Sequence, residues 1–175
     1  MQIIDDFLPE AEAESVRWTL LNEQMPWFFL DNISGYAGEA KNVQYGFYHL
    51  LFHQPDGGVT SGVCEQVGSL LDAAGAAANG ELWRARVGLS TNIGGLGVAH
   101  PHIDYTNEHT VVLYYVNDSD GDTVLYDGHP DTGLSVAEKI TPVHNRAVIF
   151  DGLRYHSSSY PVKDSRRVVV NMNFF

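Results

Sequence analysis

The spacing of apolar residues changes character near residue 80. Residues 2–8 alternate weakly between apolar and polar side chains and predict a short first strand. Pro9 stands at the first position of a helix, where its missing N–H does no harm. Val16, Leu20 and Leu21 then recur at helical spacing behind early acidic residues, which predicts an amphipathic helix over about 10–23. Residues 26–31 (Pro-Trp-Phe-Phe-Leu-Asp) read as a strand, followed by a loop holding Gly35 and Gly38. The aromatic run 43–53, with Tyr45, Phe47, Tyr48 and Phe52, is strand-like, although its length also permits a helix. Pro55-Asp-Gly-Gly is a turn. Ser61 is placed to cap a helix reaching about Ala78, with Val63, Val67, Leu70, Leu71 and Ala74 on its inner face, and Asn79-Gly80 ends it.

Beyond residue 80, short β-branched and aromatic runs follow one another, separated by Gly, Asp and Asn. They predict strands near 82–91, 99–105, 109–116, 122–126, 139–142, 146–150 and 166–174. Helices followed by many short strands give an α+β chain, in which N-terminal helices pack on one sheet of a β-sandwich or jelly roll. The expected organisation is one domain over 1–175, with a helix-rich support region (1–80) and a β-rich core (81–175) that carries the chemistry.

Composition narrows the function. Hydrophobic residues make up 44% and charged residues 18%, an ordinary balance for a folded domain. A net charge of −12 argues against nucleic acid or an anionic membrane as the main partner. Cys64 is the only cysteine, which excludes an intrachain disulfide and a thiolate metal cluster and suggests a reducing compartment. The first residues carry neither a basic region nor a long apolar run, and no stretch approaches 18 apolar residues. A cytoplasmic protein is therefore expected.

The chemistry concentrates at His100-Pro101-His102-Ile103-Asp104, just after a loop holding Gly94, Gly95 and Gly97. Those glycines lack the spacing of a phosphate cradle, and no helix follows them. In an extended strand alternate side chains share a face about 6.5–7 Å apart, so His102 and Asp104 can lean toward one ion. His156, at the end of the run Ala147-Val-Ile-Phe-Asp-Gly-Leu-Arg-Tyr-His156, is the candidate third ligand. Two imidazoles and a carboxylate on one side of a metal leave the other side open, which suits ferrous iron activating dioxygen. In the last strand, alternation puts Arg167, Val169, Asn171 and Asn173 on one face and Val168, Val170, Met172 and Phe174 on the other. An inward Arg167 needs an anionic partner, for which a carboxylate of a small dicarboxylate would serve, and Arg166 is its rival on the opposite face. Arg84 and Arg86 alternate upstream, fit for a substrate contact or an ion pair. Asp118, Asp120 and Asp122 read as a solvated turn rather than a calcium loop. Trp18, Trp27 and Trp83 read as core or rim packing.

His102-x-Asp104, His156 and an Arg about ten positions on resemble the iron(II)- and 2-oxoglutarate-dependent oxygenases, in particular the prolyl 4-hydroxylase-like branch and its small phage and marine bacterial relatives. Leu113-Tyr114-Tyr115-Val116-Asn117, Gly121-Asp122-Thr123, Val148-Ile149-Phe150-Asp151 and the Arg-to-Asn-Phe ending match in the same order, over roughly 82–175. The resemblance implies a double-stranded β-helix. It also implies Fe(II) on His102, Asp104 and His156, 2-oxoglutarate held by Arg167 with help from Tyr115, and O2 as oxidant. The implied reaction hydroxylates a C–H bond of a peptidyl side chain, for example proline, or of a small molecule, while 2-oxoglutarate is decarboxylated to succinate. Two alternatives stand beside it. A cupin-type metal protein would use His100, His102, Glu108 and His156 without 2-oxoglutarate, and a metal-free β-sandwich would only bind a partner. The role of His100 and the oligomeric state stay open.

Overall fold

A computed structural model describes residues 1–33, 45–92, 94 and 97–175. The elements in chain order are β1 (Gln2–Ile4), α1 (Glu10–Leu21), β2 (Phe28–Leu30), β3 (Gly46–His53), β4 (Gly58–Val59), α2 (Val63–Gln66), α3 (Gly68–Ala78), β5 (Leu82–Thr91), β6 (Thr110–Tyr115), β7 (Thr123–His129), β8 (Gly133–Ile140), β9 (Arg146–Asp151), β10 (His156–Ser158) and β11 (Arg166–Phe174). The loop at Gly35 and Gly38, and Gly95 of the later glycine loop, lie outside the described residues.

Eight strands form the larger sheet, in the order β1-β9-β6-β11-β5-β3-β2 with β4 also paired to β3. The smaller sheet is β10-β7-β8. The helices cover one face of the larger sheet, and the smaller sheet covers the other. The central strands are therefore buried on both sides, which is why they read as nearly continuous apolar runs. Alternation sorts their side chains into two cores. Val112 and Tyr114 of β6, Ala147 and Ile149 of β9, and Val168, Val170, Met172 and Phe174 of β11 meet the helices. Val111, Leu113, Tyr115, Val148, Phe150 and Val169 face Leu125 and Ile140 of the smaller sheet. This two-sheet jelly roll with helices on one face is the α+β double-stranded β-helix that the sequence implied. None of its described helices is long and apolar enough to cross a membrane.

The helix-side core is built from spacing that suits a packed helix. Ala13, Val16 and Leu20 of α1 are buried at intervals of three and four, and Leu70 and Ala74 of α3 repeat the interval. Burying each of the larger side chains contributes about 1.5–3 kcal/mol. Asn79 closes α3 in the left-handed region (φ 53°, ψ 43°), its N–H donating to the Gly75 carbonyl.

Several expectations are corrected. Pro9 is the residue before α1 rather than its first member. The helix expected from Ser61 to Ala78 is two, interrupted at Val67 (φ −112°, ψ 19°), because fully buried Val67 turns into the core just ahead of Gly68. The Ser61 hydroxyl, two residues before α2, accepts the Val63 N–H. The segment 99–105 is not a strand. It touches its neighbour through isolated bridges, Val98 with Ser159 and His102 with His156, and Pro101 between them has no N–H to give. β8 is longer than the 139–142 expected, and β10 was not foreseen. Trp18 is 76% exposed, not a core residue.

Candidate metal and 2-oxo acid site

The two histidines are brought together by backbone pairing. His102 N–H donates to the His156 carbonyl and His156 N–H to the His102 carbonyl, both at 2.9 Å. Direct register sets the rings side by side, centroids 4.7 Å apart. Each ring is held by its Nδ1 on the carbonyl two residues earlier, His102 on His100 (3.0 Å) and His156 on Arg154 (3.1 Å). A carbonyl only accepts, so Nδ1 carries the proton and Nε2 offers its lone pair to the site. His156 Nε2 is buried without a hydrogen-bond partner. Burial pulls the His156 pKa down to about 4 against the attraction of Asp104, so the ring is neutral, the form that ligates a metal.

Asp104 arrives two residues after His102, and its carboxylate is 4% exposed. Burial alone would raise its pKa. Arg84, His156, the Asn173 hydrogen bond and His102 outweigh burial and hold the carboxyl well below its ordinary value. Arg84 Nη2 lies 2.9 Å from Oδ1, while Oδ2 accepts from Asn171 Nδ2 (3.0 Å) and Asn173 Nδ2 (2.9 Å) and sits 4.0 Å from His156 Nε2. Arg84 Nε also donates to Asn173 Oδ1 (3.1 Å), which closes a network between β5 and β11 around the aspartate. The ligand atoms of His102, Asp104 and His156 all lie within 4.8 Å of one another, the one such cluster among the described residues. With metal–donor bonds near 2.1 Å, these groups fit one divalent ion. The open side and the nitrogen–oxygen donor set suit iron.

Beside them, Arg167 is buried at 4% exposure, and no carboxylate pairs with it among the described residues. Its Nη2 donates to Thr123 Oγ1 (2.8 Å), its Nε is unpartnered, and its guanidinium lies 5.8 Å from the centre of the Tyr115 ring. Tyr115 OH donates to the same Thr123 oxygen at 2.8 Å. With two donors already on it, Thr123 Oγ1 has its own proton left to give. Burial raises the Tyr115 pKa, with Arg167 and Thr123 opposing, so the phenol stays protonated. The group is a buried cation flanked by two hydroxyls, made for an anion. A Cβ on Gly121 would lie 3.0 Å from Arg167 Cδ and 2.8 Å from the Ser159 carbonyl, so the turn before β7 passes close to Arg167 only as glycine.

Sequence reasoning singled out His102, Asp104, His156, Arg167 and Tyr115. His102, His156 and Arg167 line one cleft, Asp104 lies with the two histidines, and Tyr115 stands behind Arg167. The face assigned to Arg167, Val169, Asn171 and Asn173 is the cleft face, and Arg166 is exposed on the other side. Thr123, Asn171 and the ion pair of Arg84 with Asp104 carried no assigned role. The Gly121-Asp122-Thr123 match was the one signal for the first of them. Glu108 is exposed, and neither it nor His100 belongs to the cluster of donor atoms. The aspartates of 118–122 are turn-builders: Asp120 accepts the N–H groups of Val162, Lys163 and Asp164, Asp118 that of His144, and Asp122 the Thr141 hydroxyl.

The family model described as the 2OG-Fe(II) oxygenase superfamily matches residues 89–175, the C-terminal half of the chain and all of the site except Arg84. No curated protein matches the sequence. Solved structures share the fold. A prolyl hydroxylase from Trichoplax adhaerens, in complex with a peptide fragment of the hypoxia inducible factor oxygen degradation domain, aligns with TM-score 0.71 at 18% identity, covering 99% of this chain and 82% of its own. A Pseudomonas putida prolyl-4-hydroxylase gives 0.58 at 16% identity, covering 99% and 91%. The nogalamycin-pathway epimerase SnoN, in complex with Fe3+ and alpha ketoglutarate, gives 0.62 at 14% identity, covering 99% and 77%. The family match takes in His102, Asp104, Tyr115, Thr123, His156 and Arg167, and this chain belongs to the 2OG-Fe(II) oxygenase superfamily.

Proposed function

We propose that His102, Asp104 and His156 bind the ferrous ion and that Arg167, Thr123 and Tyr115 grip the distal carboxylate of 2-oxoglutarate. On this reading the chain hydroxylates a C–H bond of a peptidyl side chain, proline for example, or of a small molecule, in a cytoplasmic setting consistent with the lone buried thiol of Cys64. The observation that carries the proposal is the convergence of two imidazole nitrogens and one carboxylate from sites far apart in sequence. When bound, the iron and its co-substrate supply the oxidising chemistry, with decarboxylation to succinate. The chain's own residues orient and exclude water. The His102–His156 bridge fixes two donors, and Asn171, Asn173 and Arg84 hold the aspartate so that it cannot swing away. The pair of hydroxyls on Arg167 aligns the dicarboxylate.

Anaerobic titration with ferrous iron and 2-oxoglutarate tests the proposal. The weak visible charge-transfer band is expected in the wild type and absent in His102→Ala, Asp104→Ala and His156→Ala. Arg167→Ala should weaken 2-oxoglutarate binding while iron binding persists. An undiminished band in Asp104→Ala, or an effect of Arg166→Ala in place of Arg167→Ala, would overturn the assignment.

A further inference from the structure

β5 turns Arg84, Arg86, Gly88 and Ser90 toward the space between the sheets, while Ala85 and Val87 enter the helix-side core. Arg84 is committed to Asp104 and Asn173. Among the described residues Arg86 has no such commitment. It is half-buried, it lines the same cleft as His102, His156 and Arg167, and it makes no hydrogen bond or ion pair with any described residue. Asn171 lies opposite it in the ladder, with Oδ1 buried and unpartnered. Burial and Arg84 lower the Arg86 pKa, while Asp104, Tyr105 and Tyr48 oppose them, and a guanidinium stays cationic through such a shift.

Charge in the cleft points the same way. The metal dication and the guanidiniums of Arg84, Arg86 and Arg167 bring five positive charges. Asp104 and the two carboxylates of 2-oxoglutarate remove three, so two remain. The chain as a whole carries −12, so this surplus is a property of the cleft and not of the protein. The next residue on the same face, Gly88, has no side chain, and a Cβ there would meet only Val169 Cγ2, at 3.7 Å. Tyr48 stands opposite Gly88 in the β3 ladder. Room for a small skeleton therefore lies between Arg86 and the histidines, beside an aromatic ring.

We infer that Arg86 binds a free carboxylate of the substrate, which is a small carboxylic acid such as a free α-amino acid. The inference rests on the iron and 2-oxoglutarate assignment proposed above. A residue inside a peptide brings no free α-carboxylate to this position. A carboxylate accepts two parallel hydrogen bonds from the guanidinium fork, whereas an amide leaves a half-buried cation unpaired.

The test pairs each proteinogenic amino acid with its α-amide, adds an end-capped proline peptide, and follows succinate release with iron and 2-oxoglutarate. Calorimetry on the manganese(II)·2-oxoglutarate protein, which does not turn over, reads binding separately. At least one acid is expected to act about tenfold or more better than its amide in both readouts. Arg86→Gln should erase that preference, with Arg86→Lys retaining part of it. Circular dichroism checks that both variants fold. No acid above its amide, a capped peptide preferred over every acid, or a loss in Arg86→Gln confined to 2-oxoglutarate overturns the inference. A wild type without the charge-transfer band overturns the underlying assignment and this inference with it. A normal band without acid preference overturns this inference alone.

Discussion

Thr123 Oγ1 accepts one hydrogen bond from Arg167 and another from Tyr115, and this one oxygen links the smaller sheet to the cleft face of the larger. Replacing the hydroxyl by a methyl group of equal size, Thr123→Val, leaves both donors unpaired in a buried place. A lost hydrogen bond to a charged group is worth about 1.5–3 kcal/mol. The apparent affinity for 2-oxoglutarate is therefore expected to fall by roughly ten- to a hundredfold, with ferrous iron still bound, as read by the concentration dependence of the charge-transfer band. Unchanged 2-oxoglutarate affinity would remove Thr123 from the site. Such a residue is hard to read in a sequence. His102, Asp104, His156 and Arg167 announce themselves by residue type and by alternation. Thr123, Asn171 and Asn173 are ordinary polar residues whose hydrogen bonds to Arg167 and Asp104 span 44 to 69 positions.

Elements were legible where burial leaves a period in the sequence. β11 is buried on both faces, yet its cleft face carries Arg167, Asn171 and Asn173 among apolar neighbours, so its register could be read and the structure agrees. β8 lies at the edge of the smaller sheet and is exposed at most positions, so it has no apolar period to find beyond its last residues. β10 is three residues long, and the 99–105 segment opposite it is reduced to isolated bridges. Both are held by partners rather than by their own propensity. The connection from β9 to β10 shows how tightly such placement is controlled. A Cβ on Gly152 would lie 2.1 Å from His109 Nε2, because that ring lies against the glycine backbone. The ring is itself pinned, with Nδ1 on the Asn107 carbonyl (2.8 Å) and the rings of Tyr105 and Phe175, which also touch each other, packed against it. Gly152→Ala must displace the ring or the chain, and overpacking of this kind costs about 1–3 kcal/mol. A lower urea midpoint with an unchanged slope is the expected result, and His109→Ala in the same chain should return part of the loss. Equal midpoints for Gly152→Ala and wild type would show that the contact is soft.

Across the whole molecule, the site is where the two sheets meet. Its ligands and supports come from β5, β6, β7, β10, β11 and the 98–104 segment. That gathering carries a cost: among the described residues, the buried Arg167 has no carboxylate partner, His156 Nε2 has no hydrogen-bond partner, and positive charge collects near Arg84 and Arg86. Groups that bind only the folded chain relieve this cost, and by mass action they stabilise it by about 2.7 kcal/mol at a hundredfold excess over Kd. For a chain of 175 residues, each kcal/mol corresponds to roughly 2–4 °C. Manganese(II) with 2-oxoglutarate should therefore raise Tm by about 5–10 °C, and a chelator should reverse the rise. The order of addition carries further information. In the proposed arrangement Arg167 and the metal ligands would hold 2-oxoglutarate together, so the acid should add little stability without metal and most of its effect after metal. Asp104→Ala should then lose the response to both, whereas Arg167→Ala should keep the response to metal and lose the increment from 2-oxoglutarate. A Tm shift by 2-oxoglutarate that is equal with and without metal would mean that the acid sits on the arginines alone. The metal centre and the anion site would then be two separate binding places rather than one.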